Sequence, residues 1–97
     1  MSEVFDFRVL VAAQKALLGE VQPNLRMASV DVDGNKVRFE LYFDGELSED
    51  DLEAIGFIDT EMIAFLGEEL QIDTIAIRLD YPEPVPKTGT WVYFRKE

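Results

Sequence analysis

Two runs of alternating apolar and polar residues, Met27 to Val32 and Val37 to Phe43, flank the tetrapeptide Asp33-Gly34-Asn35-Lys36. A period of two sends successive side chains to opposite faces of a strand, and Gly and Asn tolerate the positive φ of a tight turn. The pattern predicts a β-hairpin. It puts Val37, Phe39, Leu41 and Phe43 on one face and Arg38, Glu40 and Tyr42 on the other. The string from Asp31 to Asn35 superficially suggests a calcium loop, but that motif spreads its ligands over twelve residues ending in a bidentate Glu. Lys36, Val37 and Arg38 intervene here, so calcium is rejected.

Helical spacing brackets the hairpin. Leu10, Val11, Leu17, Leu18 and Val21 recur at that spacing up to Gly19 and Pro23, which predicts a first helix over roughly 5 to 20. Its other side carries Phe5, Val9, Ala12, Ala13 and Ala16, with Asp6, Arg8, Lys15 and Glu20 as charged breaks, so it is expected to be buried on more than one side. Gln14 falls within the apolar stripe and needs a hydrogen-bond partner there. Ser48 followed by Glu49, Asp50 and Asp51 predicts the start of a second helix, over roughly 49 to 66: the hydroxyl caps an amide and the acids meet the positive end of the dipole. Leu52, Ile55, Ile58, Met62, Phe65 and Leu66 form its stripe and Gly67 closes it. Projection puts Phe57 on the exposed side among Asp50, Glu53 and Glu61, and Asp59 toward the apolar side, at a stripe edge or in a salt bridge.

A third strand is expected to end near Tyr81, with Ile75, Ile77, Leu79 and Tyr81 opposed to Thr74, Ala76, Arg78 and Asp80, before Pro82, Pro84 and Pro86 forbid regular pairing. Thr90 to Arg95 reads as a fourth. The order αββαββ in 97 residues suits one α+β domain, 1–97, built as a two-layer sandwich. The expected sheet is four-stranded and antiparallel, with both helices on one face. Its other face is expected to stay open to water, carrying Arg38, Tyr42, Arg78, Trp91, Tyr93 and Arg95.

Composition narrows the chemistry. The chain lacks His and Cys, which removes imidazole catalysis, thiol nucleophiles, disulfides and zinc sites built from those ligands. Its Gly residues are scattered, each with a turn, cap or break reading, so no phosphate loop or dinucleotide fingerprint is present. A carboxylate enzyme would need burial to separate two pKa values, and nothing in the spacing shows that. No cofactor and no catalytic residue are expected. The opening residues Met1 to Asp6 show no leader pattern, no segment approaches a membrane span, and the expected setting is the cytoplasm.

The net charge of −11 is not spread evenly: between Arg38 and Arg78 there are twelve acids and no Lys or Arg. Phosphate contacts need cations, so direct binding to nucleic acid or to an anionic membrane is disfavoured and a basic partner is favoured. Acids after Ser48 serve the helix dipole in any protein, but Asp44 and Glu46 precede the helix and gain nothing from it. This points to a partner-binding surface of Asp44, Glu46, Glu49, Asp50, Glu53, Phe57 and Glu61, acids around an aromatic anchor. Two alternatives stay open. One is an aromatic platform of Tyr42, Trp91 and Tyr93 on the second sheet face; the other is a non-catalytic structural or regulatory domain that forms a homodimer through the first helix.

Four strings carry a resemblance: Leu17 to Arg26 (LLGEVQPNLR), Tyr42 to Asp51 (YFDGELSEDD), Ile77 to Pro84 (IRLDYPEP) and Gly89 to Glu97 (GTWVYFRKE). Together they resemble small bacterial immunity proteins of contact-dependent growth inhibition systems. The resemblance implies a cytoplasmic antidote that binds the C-terminal domain of a delivered toxin, often a nuclease, and blocks its active site or substrate groove. It transfers no functional residue, so the surface named above rests on charge and projection.

Overall fold

The computed structural model describes residues 3–97, with side chains from Phe7 onward. The leader reading on Met1 and Ser2, and the side chains of Phe5 and Asp6 in the first helix, lie outside the described residues. Six elements follow in the anticipated order: α1 Glu3–Leu17, β1 Leu25–Asp33, β2 Lys36–Phe43, α2 Glu49–Leu66, β3 Gln71–Arg78 and β4 Thr90–Phe94.

The hairpin forms as its alternation requires. Asp33 pairs with Lys36 across a two-residue loop, and of the two loop residues only Gly34 takes a positive φ, 62°. Glycine first and a negative φ second is the arrangement of a type II′ turn, whose twist matches that of the flanking strands. Ser48 caps α2 through a reciprocal pair: its Oγ accepts from the Asp51 amide at 3.1 Å and Asp51 Oδ2 accepts from the Ser48 amide at 2.9 Å. The same carboxylate oxygen accepts from Asn24 Nδ2 at 2.7 Å, tying the start of α2 to the chain entering β1. Asp51 is therefore buried with its Oδ2 shared by two donors, and Asp51→Ala, which orphans Asn24 and an amide, should cost about 1–2 kcal/mol by chemical denaturation.

The sheet order is β3-β2-β1-β4, and the expectation of an antiparallel sheet is corrected. β1 pairs antiparallel with β2 and β4, but β2 and β3 run parallel. The cause is α2: eighteen residues rising about 1.5 Å each carry the chain back along the sheet to its starting end, so the next strand must run the same way.

Both helices cover one face. Val9, Ala12, Ala13 and Ala16 of α1 and Ile58, Met62 and Leu66 of α2 are buried against Leu25, Ala28, Val30, Val37, Phe39, Leu41 and Phe43. The core side of α1 is thus its small-residue side, which lets the helix approach closely, while Gln14 is exposed rather than set in a buried stripe. On α2 the buried row runs Ala54, Ile58, Met62, Leu66, so Leu52 and Phe65, expected in the stripe, are exposed at its flanks.

The second face stays open only toward the hairpin end, where Asp31, Arg38 and Asp73 are exposed. β3 and β4 are opposite edges, and the chain between them, 79–89, must cross about three strand spacings of roughly 4.8 Å each. It crosses the face that the helices leave free. Leu79 donates its amide to Phe43 O, Tyr81 lies over the Arg26 guanidinium, and Gly89 packs on Val30 O so closely that a Cβ there would stand 2.9 Å from it. Arg26, Met27, Ser29 and Tyr42 are consequently buried on this side. The expected platform is dispersed: Tyr42 is covered, and the irregularity in β4 between its pairings with Ala28 and Ser29 turns Tyr93 onto the helix-side core, while Trp91 stacks on Phe94 with centroids 5.1 Å apart. Arg78 lies on the helix side of β3, beside Phe43, and pairs with Asp80.

Candidate partner-binding surface

Four of the twelve acids between Arg38 and Arg78 work inside the fold. Glu40 holds Arg38 at 2.8 Å and Asp51 caps α2. Asp59 sits half-buried at the stripe edge, where its partner is the Thr74 hydroxyl at 2.7 Å rather than a cation. Asp44 is the informative case. Its Oδ1 accepts from the Tyr81 amide at 3.0 Å and its Oδ2 from Arg95 Nη2 at 3.1 Å. The Tyr81 amide first, and Arg95 second, hold its carboxyl below the usual aspartate range. Asp44 therefore fastens the loop before α2 to the 79–89 crossing and to the end of β4. Its position ahead of the helix, read from sequence as a sign of recognition, has a structural explanation.

The other eight acids, Glu46, Glu49, Asp50, Glu53, Glu61, Glu68, Glu69 and Asp73, are exposed and carry no hydrogen bond or ion pair among the described residues. Five of them belong to the surface anticipated from sequence, and the helix assembles those on α2. Glu49, Glu53, Phe57 and Glu61 recur every four residues, which places them in one ridge about 18 Å long, with Asp50 beside its first turn. Phe57 is 54% exposed in the middle of that ridge. Gly56, having no side chain, leaves a shallow depression beside it, lined by Glu53, Phe57 and Thr60. Gly56 also lines a second groove of about 620 Å³ between α2 and β3, with Leu52, Ile55, Asp59 and Ile72 to Ile75 on its walls. Ridge and groove meet at Gly56, and the groove sets the apolar Leu52, Ile55, Ile72 and Ile75 beside the hydrogen-bonded pair of Thr74 and Asp59.

The groove was missed at the sequence level because it depends on β3 lying next to β2 and under α2. The available signal was the eighteen-residue helix between two strands, which demands a parallel neighbour.

The most buried ion pair lies elsewhere. Arg26, buried under the crossing, donates from Nε and Nη2 to the two carboxylate oxygens of Glu97 at 2.8 and 3.0 Å and from Nη1 to Leu79 O at 2.7 Å. No three acids among the described residues gather closely enough to hold a metal ion, and no helix is long and apolar enough to cross a membrane. On the described part of α1, Phe7 is the large apolar residue left exposed, and Leu18, just past the helix end, is exposed as well.

A family model described as MafI2 immunity protein matches residues 6–97, nearly the whole of this fold. The chain belongs to the MafI2 immunity protein family. The expectation of an immunity protein drawn from the four strings is met at that level, and the system is of the Maf type rather than specifically one of contact-dependent growth inhibition. No curated protein is similar enough to match the chain. Membership in the MafI2 family gives the acidic surface a context, since an antidote acts through the face it presents to another protein.

Proposed function

We propose that this MafI2 family member is a non-catalytic inhibitor that binds a cognate basic toxin domain in the cytoplasm and covers its active site or substrate groove. Glu46, Glu49, Asp50, Glu53 and Glu61 pair with Lys and Arg of the toxin, and Phe57 enters an apolar pocket among them. Asp44 is left out of the contact set because its carboxylate already has internal partners. The observation that carries the reading is the concentration of unpaired acids around an exposed aromatic on α2, in a chain of an immunity family. Acids beyond the first turn, such as Glu53 and Glu61, gain little from the helix dipole, whose effect fades within one turn. Exposed like charges also repel one another, so an external cation is the partner that relieves them. A row of carboxylates resembles a polyanion, which favours a toxin that acts on nucleic acid.

The experiment is co-production of the chain with the toxin domain encoded beside its gene. Growth should be restored, the two chains should purify as a complex, and their association should weaken as ionic strength rises, since attraction of this kind is screened within about 10 Å at 0.1 M salt. Failure of the pair to associate would overturn the reading. Detectable turnover by the isolated chain, lost on substitution of a single acid, would replace it with an enzymatic one.

A further inference from the structure

The two edges of the sheet are finished differently. β4 is five residues long, is irregular in its pairing with β1, and follows the proline-rich crossing. Short length, irregular pairing and nearby prolines are the usual protections of an edge. β3 has none of them. It runs eight residues, Gln71–Arg78, in unbroken register with β2 and without Pro or Lys.

The parity of its hydrogen bonds shows what this edge offers. The Gln71 amide donates to Asn35 O and the Leu79 amide to Phe43 O, each at 2.8 Å. These donors are eight residues apart, four repeats of a parallel ladder, so the odd-numbered residues between them face β2 and the even-numbered ones face away. Ile72, Thr74 and Ala76 thus present their N–H and C=O groups outward, and among the described residues no loop bonds to them. The α2 groove lies directly alongside, with Leu52 58% exposed on its lip. Asp73, on the opposite face of the strand, is exposed, and its neighbour across the register, Arg38, is engaged by Glu40.

We propose that the outer edge of β3 receives an extended segment of the toxin as a fifth strand, apolar residues entering the groove by Leu52 and Ile55 while alternate Lys or Arg residues meet Asp73. The proposal rests on the neutralisation reading and gives it a binding mode. Main-chain hydrogen bonds supply affinity in such strand addition, and alternating side chains supply selectivity. Charge selects the occupant: a second copy of this chain would bring another base-free acidic stretch against the first, whereas a basic strand neutralises it.

The test is Ala76→Pro, which removes an outward N–H and leaves the ladder to β2 intact, measured against a catalytically disabled form of the toxin domain encoded beside the gene. With circular dichroism and melting unchanged, affinity should fall about tenfold or more, since a lost main-chain bond and a ring facing the added strand act together. In the wild-type complex the amides of Ile72, Thr74 and Ala76 should exchange at least about tenfold more slowly than in the free chain. That second measurement decides the matter even if the variant fails to fold. Unchanged affinity in a folded variant, or unprotected amides in a wild-type complex, would overturn edge pairing and leave neutralisation standing. No association of the wild type would remove both. A homodimer dissolved by Ala76→Pro would assign the edge to self-pairing instead.

Discussion

Arg26→Met lowers the melting temperature of the isolated chain by about 10–20 °C, corresponding to about 2–3 kcal/mol in a domain of this size. Methionine fills much of the same volume, so the loss reports the guanidinium rather than a cavity. Removing it leaves Leu79 O without its donor under the crossing and takes two donors from Glu97. Glu97 retains Arg95 at 3.0 Å and stands where it can turn to water, which keeps the cost below that of orphaning a fully enclosed charge. Arg26→Lys should recover little of it, because one ammonium cannot serve a bidentate carboxylate and a carbonyl from the same position. The same cluster sets an acid limit. Arg26 holds the Glu97 carboxyl below the usual glutamate range, the Tyr81 amide and Arg95 lower Asp44, and Arg78 and the Gly45 amide lower Asp80. Carboxylates whose folded pKa is depressed contribute stability above their unfolded pKa of about 4 and lose it as pH falls through the folded value. Melting temperature should therefore hold above about pH 5 and fall progressively below it, with a shallower acid slope in Arg26→Met. An unchanged slope would remove Glu97 from this account.

Reversing Glu49, Asp50 and Glu53 together to Lys should weaken toxin binding about 100- to 1000-fold, mostly through slower association at low salt, and should flatten the salt dependence that remains. Three attractive contacts become repulsive ones on a ridge with no neighbouring cation to hide the change. The variant must still be folded, and its own stability should drop by only about 1–2 kcal/mol, from lysines at the positive end of the helix. Glu53→Lys alone, beyond the first-turn acids, separates the two effects, since it disturbs the partner more than the helix. Phe57→Ala should act instead on dissociation, speeding it about tenfold or more with little change in the salt slope, as expected of a buried anchor within a charged rim. Wild-type affinity in the triple variant would show that the toxin docks elsewhere.

What could be read from the sequence is what local chemistry fixes. The hairpin was legible because Gly34 and two period-two runs demand it, and the start of α2 because Ser48 and Asp51 are neighbours in the chain. The end of α2 at Gly67, whose amide bonds Ile63 O at 2.9 Å, was local too. What escaped depends on distant partners. Asp44 gave no sign of Tyr81 or Arg95, which lie 37 and 51 residues further on. β3 carries apolar residues at both parities: Ile72 and Ala76 lie on the helix side and Ile75 and Ile77 on the other, so alternation could not say which face was inward. Both faces are partly covered, one by α2 and the other by the crossing, and a strand enclosed from both sides loses its clean period of two. The candidate ridge was legible as a helical projection. The groove beside it was not, since it exists only once β3 takes its place.

The start of α2 divides its labour by direction. Asp51 points inward and locks where the helix begins, while Glu49, Asp50 and Glu53, one or two positions away, point out and touch nothing in the fold. On the proposed docking surface, specificity can therefore drift without architecture drifting with it: an antidote facing an altered adversary can rewrite these three letters around Asp51 and keep its scaffold.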